Sequence, residues 1–186
     1  MYSMAIIITG NPGVGKHTIA KNVSKILKYK ILDINKIALE SRLYEKKDES
    51  NDVDVKKLKN ILKNKINKKC IVVGHLAPYV VTQKQVTKAI ILRKNPYHLP
   101  PVYKKRKYST KKIAENLGSE ILGIVAYDSI KKFGKAKSHQ IDTTSKTVPK
   151  ISKIVINVIE GKFDNDVVDW LSLISEKNDL RKFFSY

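Results

Sequence analysis

The stretch Gly10-Asn11-Pro12-Gly13-Val14-Gly15-Lys16-His17-Thr18 has the residue types and spacing to hold a phosphate. Glycines let successive backbone N–H groups turn toward one anion with no Cβ in the way. A helix starting directly behind them adds partial positive charge, and Lys16 stands where a side-chain cation reaches terminal phosphates. The pattern is G-x-x-x-x-G-K-[ST], the P-loop, which carries that meaning when a strand precedes it and a helix follows. Both neighbours are legible. Met4 to Thr9 is an apolar, β-branched run, and Lys16 to about Lys28 puts Ile19, Val23, Ile26 and Leu27 on one helical face. The expected ligands of a nucleotide's phosphates are Gly13, Val14, Gly15, Lys16, His17 and Thr18.

One position departs from the pattern. Where the motif has Ser or Thr to offer a hydroxyl to Mg²⁺, the chain has His17; Thr18 follows, but a one-residue shift points its side chain elsewhere on the helix. ATP binding is expected, with a weaker grip on Mg²⁺ than the motif usually gives. His17 would donate hydrogen bonds to phosphate, bind a softer metal, or be a passive substitution. His98 and His139 have no neighbours in sequence that suggest a metal site, so no metal-ligating residues are assigned.

The elements that must position this loop alternate. Tyr29 to Leu32 reads as a second strand ending at Asp33, which would hold a metal-bound water, position an acceptor, or cap the next helix. Asn35 to about Lys46 has helical spacing with Ile37, Leu39 and Leu43 placed for burial, and Lys47 to Asp54 reads as a polar loop. Val55 to Asn67 is a further amphipathic helix, carrying Leu58, Ile61, Leu62 and Ile66. Cys70 to Val73 suits a buried parallel strand, and the Gly74-His75 after it falls where ligands collect in such sheets. Ala89 to Leu92 is another strand, ending in Arg93. The prolines of Asn95 to Pro101 break regular structure, and Ser109 caps a long helix to about Phe133 through Ile113, Leu117, Ile121, Leu122 and Val125. Gln140 to Thr144 is the last strand, followed by helices over Val148 to Ile159 and Val167 to Ile174. Short apolar strands alternating with helices predict one α/β domain, a five-stranded parallel sheet covered on both faces.

Composition bounds the partners. The 186 residues carry a formal charge of +20, with 42% hydrophobic and 29% charged residues, as in a soluble globular protein. The charge is uneven: Val55 to Ala114 contains no Asp or Glu and 17 Lys and Arg. Such a field favours RNA, other polyanions or a highly charged nucleotide, although lysines spread along a helix also serve a solvated surface. The apolar runs are too short for a signal peptide or membrane span. The single Cys70 excludes an internal disulfide, and a cytoplasmic location is expected.

These blocks together resemble a nucleoside monophosphate kinase, and more narrowly the adenylate kinase isoenzyme 6 family, whose members are also small-subunit ribosome assembly factors. The resemblance runs nearly end to end. It rests on Gly10 to Thr18, Val72-Val73-Gly74-His75, Ile91-Leu92-Arg93, Arg106-Lys107-Tyr108-Ser109-Thr110-Lys111-Lys112 with Glu115-Asn116 and Glu120-Ile121, Ile141 to Thr147, and Val168-Asp169-Trp170-Leu171. It implies a three-layer α/β/α core with an AMP-binding insert over about 30–54 and a small lid over about 96–109. It implies phosphoryl transfer from ATP to AMP with Mg²⁺, a side ATPase activity, and ribosomal protein and ribosomal RNA as partners. Lys16, Arg106 and His75 take the catalytic places, Arg106 also contacts ATP phosphates, and Lys146 sits at the adenine. Asp33 and Arg42 fall to the AMP side. The departures from the family are His17, Val73 in place of a metal-orienting acid, Leu39 and Val102 in place of arginines, and Lys107 in place of a lid glycine. Transfer relies on positioning and charge neutralisation, so these losses should lower turnover more than nucleotide binding. Two other readings stand beside this one: a weakened nucleotide switch that acts by binding ribosomal protein or RNA, and another small P-loop kinase such as a dephospho-coenzyme A kinase, which explains Asp33 but not the Tyr108 block.

Overall fold

The computed structural model describes residues 5–47, 50–67, 69–163 and 165–184. The expected strand start at Met4, and Asp48-Glu49 in the expected polar loop, lie outside them. Five parallel strands stand in the order Lys30–Asp33 (β2), Cys70–Val73 (β5), Ala5–Thr9 (β1), Val86–Arg93 (β6) and Ser138–Asp142 (β7). Side chains alternate across the sheet. Ala5, Ile7, Val72 and Ala89 face one layer, where they pack on Leu58 and Leu62 of Val55–Lys65 (α3), Val80 of Ala77–Val80 (α4) and Phe133 of Ile124–Phe133 (α7). Ile6, Ile8, Ile71, Val73, Ile90 and Leu92 face the other, against Ile19 and Val23 of Lys16–Leu27 (α1) and Ile151, Val155 and Val158 of Val148–Ile159 (α8). The expected three-layer α/β/α architecture is therefore present, and so is its five-stranded parallel sheet.

The register brings the carboxyl ends of the strands to one edge: Ile8 lies opposite Val73 and Ile90, Asp33 opposite Val73, and Arg93 opposite Asp142. From β1 the chain runs first to β2 on one side and later to β6 on the other. The loop leaving β1 thus sits at the switch point where open α/β sheets form their binding crevice.

Several expectations about elements need correction. The helix expected over Asn35 to Lys46 stops early, at Ile34–Glu40 (α2), because Arg42 turns into the left-handed region (φ 51°) and Leu43 N–H bonds back to the Ala38 carbonyl. Tyr44–Lys47 (β3) then pairs with Ser50–Val53 (β4) in an antiparallel hairpin where a loop was expected, and Leu39, expected in the core, is 67% exposed. The long helix expected from Ser109 to Phe133 breaks at Gly123 (φ 65°), which separates Thr110–Ile121 (α6) from α7 and leaves Leu122 in solvent. A Cβ at Gly123 would come within 3.3 Å of the Arg93 guanidinium, so both the turn and the close approach favour glycine there.

The prolyl stretch is regular where irregular structure was expected. A 3₁₀ turn over Pro96–His98 leads into Pro100–Lys105 (α5), with its prolines in the first turn, where no helical N–H is lost. The last apolar helix begins at Trp170–Glu176 (α9), capped by Asp169, and Val167 is fully exposed. Leu180–Phe183 (α10) closes a third cluster in which Leu99 and Tyr103 meet Leu117, Ile121, Ile174 and Phe183. Among the described residues no helix is long and apolar enough to cross a membrane.

Candidate active site

The P-loop spans the gap between β1 and α1. Gly10 has φ 137°, and a Cβ there would lie 2.3 Å from the Leu92 carbonyl oxygen, so only glycine lets the chain leave β1 beside β6. Gly13 and Gly15 also hold left-handed backbone, and α1 starts with no side chain capping its first turn, which leaves the N–H groups of that turn facing the loop.

Three elements fix the loop from outside. Asn11 Nδ2 donates to Glu120 Oε2 (2.7 Å), while Ser119 Oγ donates to Asn11 Oδ1 (2.8 Å). Tyr103 Oη on α5 donates to the Pro12 carbonyl (2.8 Å), and Thr143 Oγ1 after β7 donates to that of Val14 (3.3 Å). Glu120 is the hub of this arrangement. It is fully buried and accepts hydrogen bonds from Asn11, from Arg93 Nε (2.9 Å), from the Lys94 backbone N–H (3.0 Å) and from Trp170 Nε1 (3.0 Å). Arg93 is itself buried and also donates to the Glu120 carbonyl and to Gln140 Oε1. The sequence signal for this hub was an acid at Glu120 on the same helical face as Leu117 and Ile121, with Arg93 ending a buried strand inside the acid-free span; sequence reasoning assigned neither a role. Trp170, which the sequence offered only as part of the family resemblance, is bonded into the hub as well.

Lys16 is buried, and its Nζ donates to the Asn11 carbonyl at 3.2 Å. Burial, reinforced by the nearby Arg106 charge, pushes its pKa down to about 8. An unfolded lysine titrates near 10.5, so between pH 8 and 10.5 the unfolded chain binds a proton that the folded one lacks, and the stability of the free protein rises with pH across that window. An anion placed against Nζ reverses the shift. Phosphate binding is therefore expected to take up protons at pH 9 and to weaken as pH climbs above about 8. Calorimetric titration with ADP at pH 7 and 9, in buffers of different ionisation enthalpy, reads this directly: greater proton uptake at pH 9 is the expected result.

His17 lies beside Lys16, and its Nε2 is 3.1 Å from Asp33 Oδ2 at the end of β2. The other carboxylate oxygen accepts the backbone N–H groups of Asn35 (3.0 Å) and Lys36 (3.3 Å) as the cap of α2. Burial opposes ionisation of Asp33, but the bonds from His17 and from those two N–H groups together hold its carboxyl below the ordinary range. His75, after β5, is pushed down to about 4 by burial and by the Lys16, His17 and Lys112 charges, so it is neutral at neutral pH.

Lys16, His17, His75 and Arg106 line one cleft of about 1530 Å³, together with Asn11 and Pro12. Its lining also includes the cationic Lys36, Lys111 and Lys112 and the apolar or aromatic Leu39, Tyr44, Val53, Leu76 and Tyr79. Arg106 ends α5, near Tyr108, whose ring stacks on Tyr103. Other expected site residues fall elsewhere. Thr18 is exposed on α1, as the one-residue shift requires. Arg42 stands exposed in the turn after α2, outside the cleft lining. Lys146 is held by the Asp142 carbonyl (2.7 Å) and Asp166 (3.1 Å) on the far flank of the P-loop.

The donors around the P-loop do not fit a protein-held Mg²⁺. The hydroxyl position is an imidazole, Val73 is buried apolar surface at the strand end, and the Asp33 carboxylate is engaged by the α2 cap and His17. Among the described residues, no three His, Cys, Asp or Glu side chains gather as a metal site would need.

A parallel sheet whose first strand feeds a glycine loop, a buried lysine and an uncapped helix defines a P-loop kinase fold. Solved structures of the same fold include shikimate kinase from Bacteroides thetaiotaomicron (TM-score 0.57, 15% identity, covering 84% of this chain and 98% of that one). YorR protein from Bacillus subtilis, solved in complex with phosphorylated GDP, superposes equally well (TM-score 0.57, 18% identity, 84% and 96% covered). Residues 6–123 match a family model described as an AAA domain. Proteins named "Putative adenylate kinase" align over most of their length: 35% identity with that of Methanocaldococcus jannaschii (90% of this chain, 93% of that protein) and 33% with that of Saccharolobus solfataricus (90% and 88%). The chain belongs to this P-loop kinase family.

Proposed function

We propose that the protein is a nucleoside monophosphate kinase that transfers the γ-phosphoryl group of ATP to AMP. The observation that carries this reading is the single cleft of about 1530 Å³ onto which Lys16, Arg106 and His75 all open. That is more space than the roughly 300–1,000 Å³ of a site for one small ligand. Its lining cations suit phosphates, and Leu39, Tyr44, Val53 and Tyr79 offer apolar and aromatic surface for a base. The names of the relatives support a nucleotide acceptor.

In this reading Gly13, Val14, Gly15 and Lys16 cradle the ATP phosphates. Arg106, exposed at the end of α5 in the 96–109 lid segment, reaches onto the transferring group while Tyr103 of the same helix holds the P-loop. An oxygen of the AMP phosphate attacks γ-phosphorus, the bond to the β–γ bridging oxygen breaks, and two ADP leave. Lys16 and Arg106 place cations where charge spreads in that step. His75 is neutral and accepts or donates one hydrogen bond at the cleft wall. α2 and the β3–β4 hairpin, inside the 30–54 insert, hold the acceptor, with Asp33 setting the start of α2. Arg42 reaches AMP only if its turn folds inward. Lys146, beside the loop that bonds to Val14, borders the adenine. Mg²⁺ neutralises nucleotide phosphates when present. ADP formation that requires AMP, measured against an ATP-only control, is the expected result; equal turnover without AMP would leave an ATPase.

A second role, in small-subunit ribosome assembly through a ribosomal protein or ribosomal RNA, is supported by the family resemblance and by exposed Lys104, Lys105 and Lys107 at the end of α5. RNA affinity should fall steeply with salt, and replacing these three lysines by alanine should flatten that slope by up to about three charges. Unchanged salt dependence in the triple variant argues against this surface.

A further inference from the structure

The residue that breaks the motif is built into the site, with partners of its own. His17 replaces a hydroxyl, and a passive replacement would leave the ring loose in the cleft mouth. Instead its Nε2 meets Asp33 Oδ2 at 3.1 Å, and the Asp33 carboxylate is in turn held by two backbone N–H groups of α2. The imidazole is therefore oriented from behind by an immobilised anion. Among the described residues no hydrogen bond is made to its second nitrogen, Nδ1. The ring is partly exposed, at 42% of its side-chain surface, and lines the cleft next to Lys16 and the uncapped start of α1.

We propose that His17, positioned by Asp33, is itself a ligand of the nucleotide's phosphates and replaces the metal-holding hydroxyl, so that the site anchors nucleotide without needing a divalent cation. The inference rests on the nucleotide-binding reading above and deepens it.

The chemistry follows from where the charges lie. Donation from Nε2 to Asp33 and from Nδ1 to a phosphate oxygen would use both N–H positions of the ring. Hydrogen bonds between such a ring and phosphate are of the charge-assisted kind. The cations that line the same cleft as His17 are Lys16 on its own helix, Lys36 on α2, Arg106 at the end of α5, and Lys111 and Lys112 on α6; Asp33 is its anionic neighbour, and His75 in the same lining is neutral. A metal-held arrangement would instead need the hydroxyl, and a carboxylate at the position of Val73; the chain lacks both.

ADP is titrated calorimetrically into the full chain, once with EDTA and once with Mg²⁺. Wild type is expected to bind within about threefold the same affinity in both. His17→Ser is expected to lose roughly tenfold or more in EDTA. Asp33→Asn is expected to weaken metal-free binding in the wild-type background and to have little effect on top of His17→Ser, a coupling that a merely structural role for Asp33 would not produce. Wild-type binding that depends on Mg²⁺ overturns the proposal. So does unaltered metal-free binding by His17→Ser while Lys16→Ala has lost ADP. If Lys16→Ala also binds as wild type does, the P-loop reading fails instead.

Discussion

Replacing Glu120 by alanine is expected to destabilise the protein by about 3–5 kcal/mol, the cost of leaving one member of a buried ion pair without its partner. Arg93 and Glu120 are 4% and 0% exposed at their side chains, so water cannot take over from the lost carboxylate. The same substitution orphans the indole N–H of Trp170, the amide of Asn11 and the backbone N–H of Lys94. For a chain of 186 residues that is a fall in melting temperature on the order of 10 °C. Glu120→Gln keeps the shape and part of the hydrogen bonding and should fall between the two. Denaturant unfolding followed by Trp170 fluorescence, from the sole tryptophan in the chain, checks both. Because Asn11 opens the P-loop, nucleotide affinity should drop in parallel with stability. A variant as stable as wild type would show that the hub is not what holds the loop.

Lys16→Ala is expected to reduce AMP-dependent ADP formation by about 10²–10³-fold or more, the scale on which a single pre-positioned donor to developing charge contributes. The effect should exceed that of removing Arg106, which is exposed where Lys16 is buried. The fold should tolerate the change, and even gain from it. Burying the Lys16 ammonium is unfavourable enough to depress its pKa to about 8, so its removal relieves that desolvation. A variant at least as stable as wild type and nearly inactive is the combination that separates a site lysine from a structural one. The measurement is steady-state turnover beside a thermal melt without nucleotide.

Local chemistry made the central part of this molecule legible. Glycines at Gly10, Gly13 and Gly15 after an apolar strand constrain the backbone to one loop, and strands such as Cys70–Val73 are short, apolar and bounded by polar or glycine positions. Their alternation with helices sufficed for the three-layer sheet and its five strands. What stayed hidden depends on contacts across the fold. Tyr44 to Val53 looked like helix and loop because its strands have no apolar alternation; they pair with each other apart from the main sheet, and Tyr44 and Val53 pack against the core. The break at Gly123 is set by the close approach of Arg93, thirty positions upstream. The bond between His17 and Asp33 joins residues on α1 and β2, and only the parallel register of β1, β5 and β2 brings them together. Glu120 shows the same limit: a single acid on an apolar helical face signals a buried partner, but not which one.

The most direct test of the central claim is binding of a bisubstrate analogue, two adenosines joined by five phosphates. A single cleft that holds donor and acceptor together predicts one molecule bound per chain, more tightly than ATP or AMP alone, with both nucleotides displaced at once. Binding no tighter than that of ATP, with AMP still able to enter, would contradict it.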